Sequence, residues 1–275
     1  MMSRGDPYST PPLPVRALFA IKAAATNPAL MWELGKKFWN RVHTADKHAR
    51  RLDEYSPFIV SAVDAIAAVT LTTHSQIEAV LNEPALTDTR NELLAIARAK
   101  NVGEYTWGGF ADVCYAICRL NRPTTVVETG VAFGWTTAFI LAALEANGHG
   151  HLHSIDLPAF RPNADRIVGA VVPDRHRHRW TLRRGSQRTV LPEVLSQVKS
   201  VDFFHYDSDK TYQGMKWGYD TVWPAVAPGG VVMSDDVTND AFLEFADQTR
   251  QTPFVVLKPA DQQRVGLVRR PAAHS

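Results

Sequence analysis

At 275 residues and 45% hydrophobic content the chain can bury a full core, and its composition excludes a disordered or fibrous protein. A formal net charge of +2, from 30 basic and 28 acidic residues, gives no global field to recruit nucleic acid or an anionic membrane, so partners must be recognised locally. Two cysteines, Cys114 and Cys118, stand four apart in an apolar run; they read as packed core thiols, which suits a reducing cytoplasm.

Residues 1–12, rich in proline and without an apolar core segment, read as a loose tail rather than a signal peptide. The most membrane-like window, 15–32, is interrupted by Arg16, Lys22, Asn27 and Pro28, so it predicts two helical pieces and no membrane span. From 13 to 120 apolar residues recur at three and four, predicting an all-helical N-terminal lobe, a candidate surface for homo-oligomer formation. Near its end Tyr105, Trp107 and Phe110 read either as an aromatic wall over a substrate or as interlobe packing.

After Pro123 the rhythm changes to short β-branched runs alternating with helical stretches. TTVVET (124–129), HLHSID (151–156), RWTLRR (179–184), VDFFHY (201–206) and GVVMSD (230–235) are strand candidates. The alternation predicts an α/β fold over 121–275, a doubly wound Rossmann-like parallel sheet, closed by PFVVLK and RVGLVRR as an antiparallel hairpin.

In such a sheet ligands bind beyond the carboxyl ends of the strands, which selects the loops to read. The first, ETGVAFG, carries Glu128, Gly130 and Gly134 in a spacing that is not the dinucleotide fingerprint. An acid in that turn repels a diphosphate and suits an ammonium group, so a cofactor with a cationic amino-acid end fits better. Asp156, ending the second strand, stands where a carboxylate accepts ribose hydroxyls, and Gly185 with Ser186 follows the third strand, where a purine ring would lie. Asp207 ends the fourth strand, and Asp235 and Asp236 end the fifth. Neighbouring strands would bring these acids within reach of one ion, and like charges that close call for a cation or a proton, with Mg²⁺ the economical cation; the other reading has Asp207 contact the cofactor or cap the next helix while the Asp235–Asp236 pair is solvated.

The stretches ETGVAFGWTTAFILAALEANGHGHLHSIDLP and VDFFHYDSDKTYQGMKWGYDTVWPAVAPGGVVMSDD, within about 122–245, resemble a class I S-adenosylmethionine-dependent methyltransferase. They are most similar to a bacterial group with ETGxxxG, SIDLP and SDD motifs. The resemblance implies that Glu128, Gly130 and Gly134 surround the methionine end and ribose of S-adenosylmethionine, with Asp156 on the ribose and Ser186 near the adenine. It departs at Trp135 and Thr136, where smaller residues are common and a bulky ring would narrow the pocket or pack on the sheet. Divalent-cation-dependent O-methyltransferases of the catechol and caffeoyl-coenzyme A types carry metal acids at the positions of Asp207, Asp235 and Asp236. In the second type a lysine proposed as general base matches Lys210. The implied activity is O-methyl transfer to a small-molecule or sugar hydroxyl, assisted by Mg²⁺.

Other features carry less. Asp209 alternates away from Asp207 and reads as exposed or supporting, and Tyr212 as packing in the next helix. His149, His151 and His153 read as a polar solvated edge, and the arginines of RHRHRWTLRR with Arg188 as contacts for a phosphate-bearing or acidic substrate rather than a nucleic-acid groove. A nucleotide-cofactor oxidoreductase and a non-catalytic cofactor-binding regulatory module remain alternatives on the same sheet.

Overall fold

A computed structural model describes residues 52–102, 110–157, 164–258 and 262–272. The first 51 residues, and Tyr105 and Trp107 with them, lie outside the described residues. Eight strands form one sheet: β1 (Ile59–Val60), β2 (Thr125–Thr129), β3 (His151–Asp156), β4 (Trp180–Arg184), β5 (Val201–Tyr206), β6 (Val226–Asp235), β7 (Phe254–Lys258) and β8 (Gln263–Arg269). Their spatial order is β1-β7-β8-β6-β5-β2-β3-β4. The five strands from β4 to β6 are parallel, β8 runs antiparallel to β6, and β7 pairs antiparallel with β8. The doubly wound sheet and C-terminal hairpin expected from the strand runs are therefore present.

The central strands β2, β5 and β6 carry consecutive apolar residues, Val126–Val127, Phe203–Phe204 and Val231–Met233, because both faces are covered. Helices α1 (Ala62–Thr70), α2 (His74–Leu81), α3 (Pro84–Ala99), α4 (Ala111–Asn121) and α5 (Trp135–Asn147) share one core with the sheet face that carries Val126, Phe203 and Met233. Helix α5 is apolar on every side, as a helix sandwiched between sheet and outer helices must be. The opposite face, with Val127, Phe204 and Val232, packs under α7 (Gln187–Val198), α8 (Tyr212–Val222) and α9 (Ala241–Gln248); the short α6 (Ala164–Ile167) lies between β3 and β4.

Within 13–120 the described part is helical with one addition. A 3-10 turn, Leu52–Phe58, contains Pro57 and delivers Ile59 and Val60 to the outer edge of β7 as a parallel strand. Proline ends the helical run, and a β-branched pair next to an open sheet edge finds its backbone partners there. The Tyr55 hydroxyl donates to the carbonyl of Asn239 at 2.9 Å, a second tie between this segment and the sheet domain. Cys114 and Cys118 are free, fully buried and raised in pKa first of all by burial, in keeping with packed thiols. Among the described residues no helix is long and apolar enough to cross a membrane.

Candidate active site

The chain leaves β2 for β3 and β4 on one side, then returns to β5 and β6 on the other, so the topological switch lies between β2 and β5. Their carboxyl ends are where a crevice must open. There Asp207 N donates to Thr129 O at 2.7 Å and Gly130 N to Ile155 O at 2.8 Å, extending the strands into the turn. Gly130 has φ +88°, and a Cβ built on it would stand 2.0 Å from Asp207 O. Only glycine satisfies both the left-handed backbone and that approach. Gly134, φ +89°, starts α5 with its own Cβ position 2.8 Å from Gly169 Cα.

A cavity of about 260 Å³ opens at this point, lined by residues 130–132, 155–157, 185–188 and 207–209. It joins the ends of β2, β3, β4 and β5, and it brings together Gly130, Asp156, Ser186 and Asp207. Asp156 Oδ2 accepts from Val131 N and Ala132 N at 2.8 and 3.0 Å, which fixes the glycine turn. Its Oδ1 accepts from Arg184 Nη1 at 2.6 Å, while Arg184 Nη2 reaches Leu157 O at 3.3 Å. Arg184 stands directly opposite Asp156 in the β3–β4 register. A carboxylate has about four lone-pair sites; three are used, and one remains for a ligand hydroxyl. Ser186 lines the wall and also caps α7, accepting from Arg188 N at 3.2 Å. Gln187 bridges Ser208 Oγ (2.6 Å) and the Tyr206 hydroxyl (3.1 Å), and so sets the floor between the third and fourth loops.

Glu128 is not on that wall. It is fully buried one layer below, where its Oε2 accepts from Thr137 Oγ1 at 2.8 Å and Ser154 Oγ at 2.7 Å, tying β2 to α5 and β3. Its Oε1 lies 3.6 Å from His205 Nδ1, and neither atom has a hydrogen-bond partner. Burial opposes charge on His205, but Glu128, Asp235 and Asp207 outweigh it and raise its pKa. Trp135 is 3% exposed and packs into the core, so its ring leaves the cavity open.

Asp207, Asp235 and Asp236 converge on Lys210. Its Nζ donates to Asp207 Oδ1 at 2.6 Å and to the Asp235 carbonyl at 3.1 Å, and lies 3.5 Å from Asp236 Oδ2. Burial would lower the Lys210 pKa, yet the three carboxylates raise it, so the amine rests as an ammonium ion. Asp235 is pushed up to about 7, first by burial and then by Asp207. As placed, with Lys210 among them, no group of three or more His, Cys, Asp and Glu side chains among the described residues is arranged so that it could hold a metal ion. Two observations fit a cation at these acids: the Lys210 ammonium stands in for one, and Asp235 Oδ1 is buried without a partner. Hard carboxylate oxygens suit Mg²⁺.

The remaining candidates sit outside this constellation. Asp209 does line the cavity, and its Oδ1 accepts from Thr211 N at 3.1 Å. Tyr212 donates to Glu244 at 2.6 Å between α8 and α9. The histidine edge is less solvated than expected: His151 bonds Thr181 Oγ1 at 2.8 Å and lies tilted at 4.8 Å from the His153 ring, and burial first, with nearby cations, lowers both pKa values. The arginine run bonds within the fold, Arg175 to Glu92, Arg177 to Asp174, Arg179 to Glu145 and Arg183 to Gln197, while Arg188 covers the Trp217 ring at 5.0 Å. Phe110 is buried, so of the three aromatics it packs rather than faces a cavity. Gln187 and Ser208 were not singled out in the sequence, and Arg184 entered only as part of the arginine run, where it bonds Asp156.

Residues 127–237 match the family model described as a methyltransferase domain. An O-methyltransferase from Bacillus cereus, solved in complex with SAH, is 15% identical with a TM-score of 0.50 over 76% of this chain and 98% of its own. A Klebsiella pneumoniae protein provisionally described as an O-methyltransferase is 16% identical with a TM-score of 0.51, over 80% of this chain and 100% of its own. No curated protein matches the sequence significantly. The matched residues, 127–237, run from within β2 to just past β6 on a Rossmann-like sheet.

Proposed function

We propose that the protein is an O-methyltransferase that moves a methyl group from S-adenosylmethionine to a small-molecule or sugar hydroxyl, assisted by a divalent cation, Mg²⁺ by the chemistry of its acids. The observation that carries this reading is one residue shared by two features: Asp207 walls the cavity of about 260 Å³ and also anchors the Lys210, Asp235 and Asp236 cluster. A donor in the cavity and an acceptor at the cluster would then meet across a single strand end. The similarity to proteins described as O-methyltransferases is in keeping with it.

When bound, S-adenosylmethionine supplies a methyl group on a sulfonium, and a divalent cation lowers the pKa of a hydroxyl it contacts. The protein's own contributions follow from its residues. Asp156 offers its remaining lone pair to a ribose hydroxyl, while Gly130 lets backbone approach the ligand and Ser186 and Gln187 edge the purine side. Glu128 braces the turn from beneath through Thr137 and Ser154 with Oε1 toward His205, so it supports the glycine turn rather than meeting the methionine end itself. Lys210 serves as base only after its ammonium leaves Asp207, because the carboxylates hold the proton on it. Positioning two reactants at one strand end accounts for a barrier reduction on the order of 7 kcal/mol or more when the geometry is good.

The same reading takes residues from 121 onward as the catalytic domain and the helices before it as the acceptor's cover and a surface for self-association. Buried free thiols agree with a cytoplasmic location. Isothermal titration with S-adenosylhomocysteine and with NAD, followed by methyl transfer to a panel of hydroxyl compounds with and without chelator, tests it. Micromolar binding of S-adenosylhomocysteine with chelator-sensitive transfer is expected. Binding of NAD instead would favour an oxidoreductase, and binding of S-adenosylhomocysteine with no turnover on any acceptor a regulatory module.

A further inference from the structure

We propose that Lys210 is an internal competitor for the divalent cation, filling the acid cluster in the metal-free protein and having to swing out before Asp207, Asp235 and Asp236 can hold an ion. The inference rests on the reading above of those acids as the cation's ligands, and deepens it. Three contacts define the arrangement: Nζ at 2.6 Å from Asp207 Oδ1, 3.1 Å from the Asp235 carbonyl and 3.5 Å from Asp236 Oδ2. A cation held by the acids and an ammonium ion held by the same oxygens cannot coexist, because like charges at such separations repel strongly.

The chain is built to let the ammonium leave. Lys210 precedes helix α8, whose N-cap is Thr211, so neither a helix nor a strand fixes its backbone. Its side chain is 30% exposed, so the four-carbon stem has an open path to solvent. Asp207 and Asp236 are likewise part-exposed, at 36% and 46%, and exposed ion pairs are individually weak. Asp235 contributes only its backbone carbonyl to Lys210 and keeps Oδ1 buried and unpartnered, an acceptor that the ammonium leaves unsatisfied. Exchanging one positive charge for two among three carboxylates improves the local balance, and it releases the lysine beside the position of the acceptor. Metal loading and availability of Lys210 are thereby one event.

The test is direct binding of Mn²⁺, followed by electron paramagnetic resonance, to the full-length protein and to its Lys210→Met variant, with Lys210→Gln in reserve should the methionine variant not fold. Removing the competitor is expected to tighten Mn²⁺ about 10-fold, equivalent to roughly 1.4 kcal/mol, and adding Asp235→Asn is expected to abolish the gain. Equal or weaker Mn²⁺ binding by the Lys210 variants, or no Mn²⁺ binding by any form, overturns the proposal. Titration of S-adenosylhomocysteine on the same samples separates the two levels. If it binds while the Mn²⁺ result fails, only the competitor role falls; if it does not bind, the proposed function falls as well.

Discussion

Gly130 shows how one position ties backbone geometry to a ligand site. Its φ of +88°, and the 2.0 Å at which a Cβ would stand from Asp207 O, leave no room for alanine without moving β2 away from β5. Gly130→Ala is expected to cost about 1–3 kcal/mol of stability and to weaken S-adenosylhomocysteine binding, read by urea denaturation and calorimetry; unchanged values in both would show the turn to be tolerant. Asp156→Ala differs, since it frees the Val131 and Ala132 amides and removes the charged acceptor of Arg184 Nη1. A loss of cofactor affinity of about 10-fold or more is expected there, with Asp156→Asn recovering part of it, because an amide oxygen still accepts but carries no charge for Arg184. Residues of this kind were legible in the sequence because position at a strand's end specifies them. Arg184 and Gln187 were not, since Arg184 meets Asp156 only through the β3–β4 register and Gln187 reaches Tyr206 and Ser208 across two loops. No spacing within one segment encodes a partner on another.

Strands were easier to read than their limits or their neighbours. The runs 151–156 and 201–206 coincide with β3 and β5, although β3 alternates polar and apolar residues and β5 carries Asp202 and His205. β6 begins earlier than the run 230–235: Val226 pairs with Val201 beside a break in register, with Ala227, Pro228 and Gly229 in between. β1 escaped notice because two residues carry no periodicity, and its existence depends on the free edge of β7. Helix starts, in contrast, announce themselves chemically. Thr73 accepts from Gln76 N, and the Gln76 side chain accepts from Thr73 N, a complete capping box for α2. Thr73→Ala is expected to lower the unfolding free energy by about 0.5–2 kcal/mol, whereas Thr73→Ser should leave it nearly unchanged; equal losses for both would assign the effect to packing.

At the scale of the whole molecule, the sheet concentrates ionisable groups at one end of one face, and their charge states couple stability to pH. Asp235 takes up its proton at a higher pH in the folded protein, about 7, than in an unfolded chain, where aspartate titrates near 3.9. His205 is raised as well, after Glu128, Asp235 and Asp207 overcome the effect of burial. Both shifts mean that the folded state binds more protons than the unfolded one, so each contributes stability at low pH that declines as pH rises. For Asp235 the decline runs from about 4 to about 7, and for His205 it starts near 6.5 and extends to its raised value. The cofactor-free, metal-free protein should therefore have a higher urea midpoint at pH 5.5 than at pH 7.5. Asp235→Asn should flatten that slope below pH 7, since an amide cannot release the proton. If the slope is unaltered by the substitution, the acid end of β6 is not the group that links folding to pH. If the slope disappears on adding Mn²⁺ to the wild-type protein, the ion is meeting the charge that otherwise costs the folded state its stability.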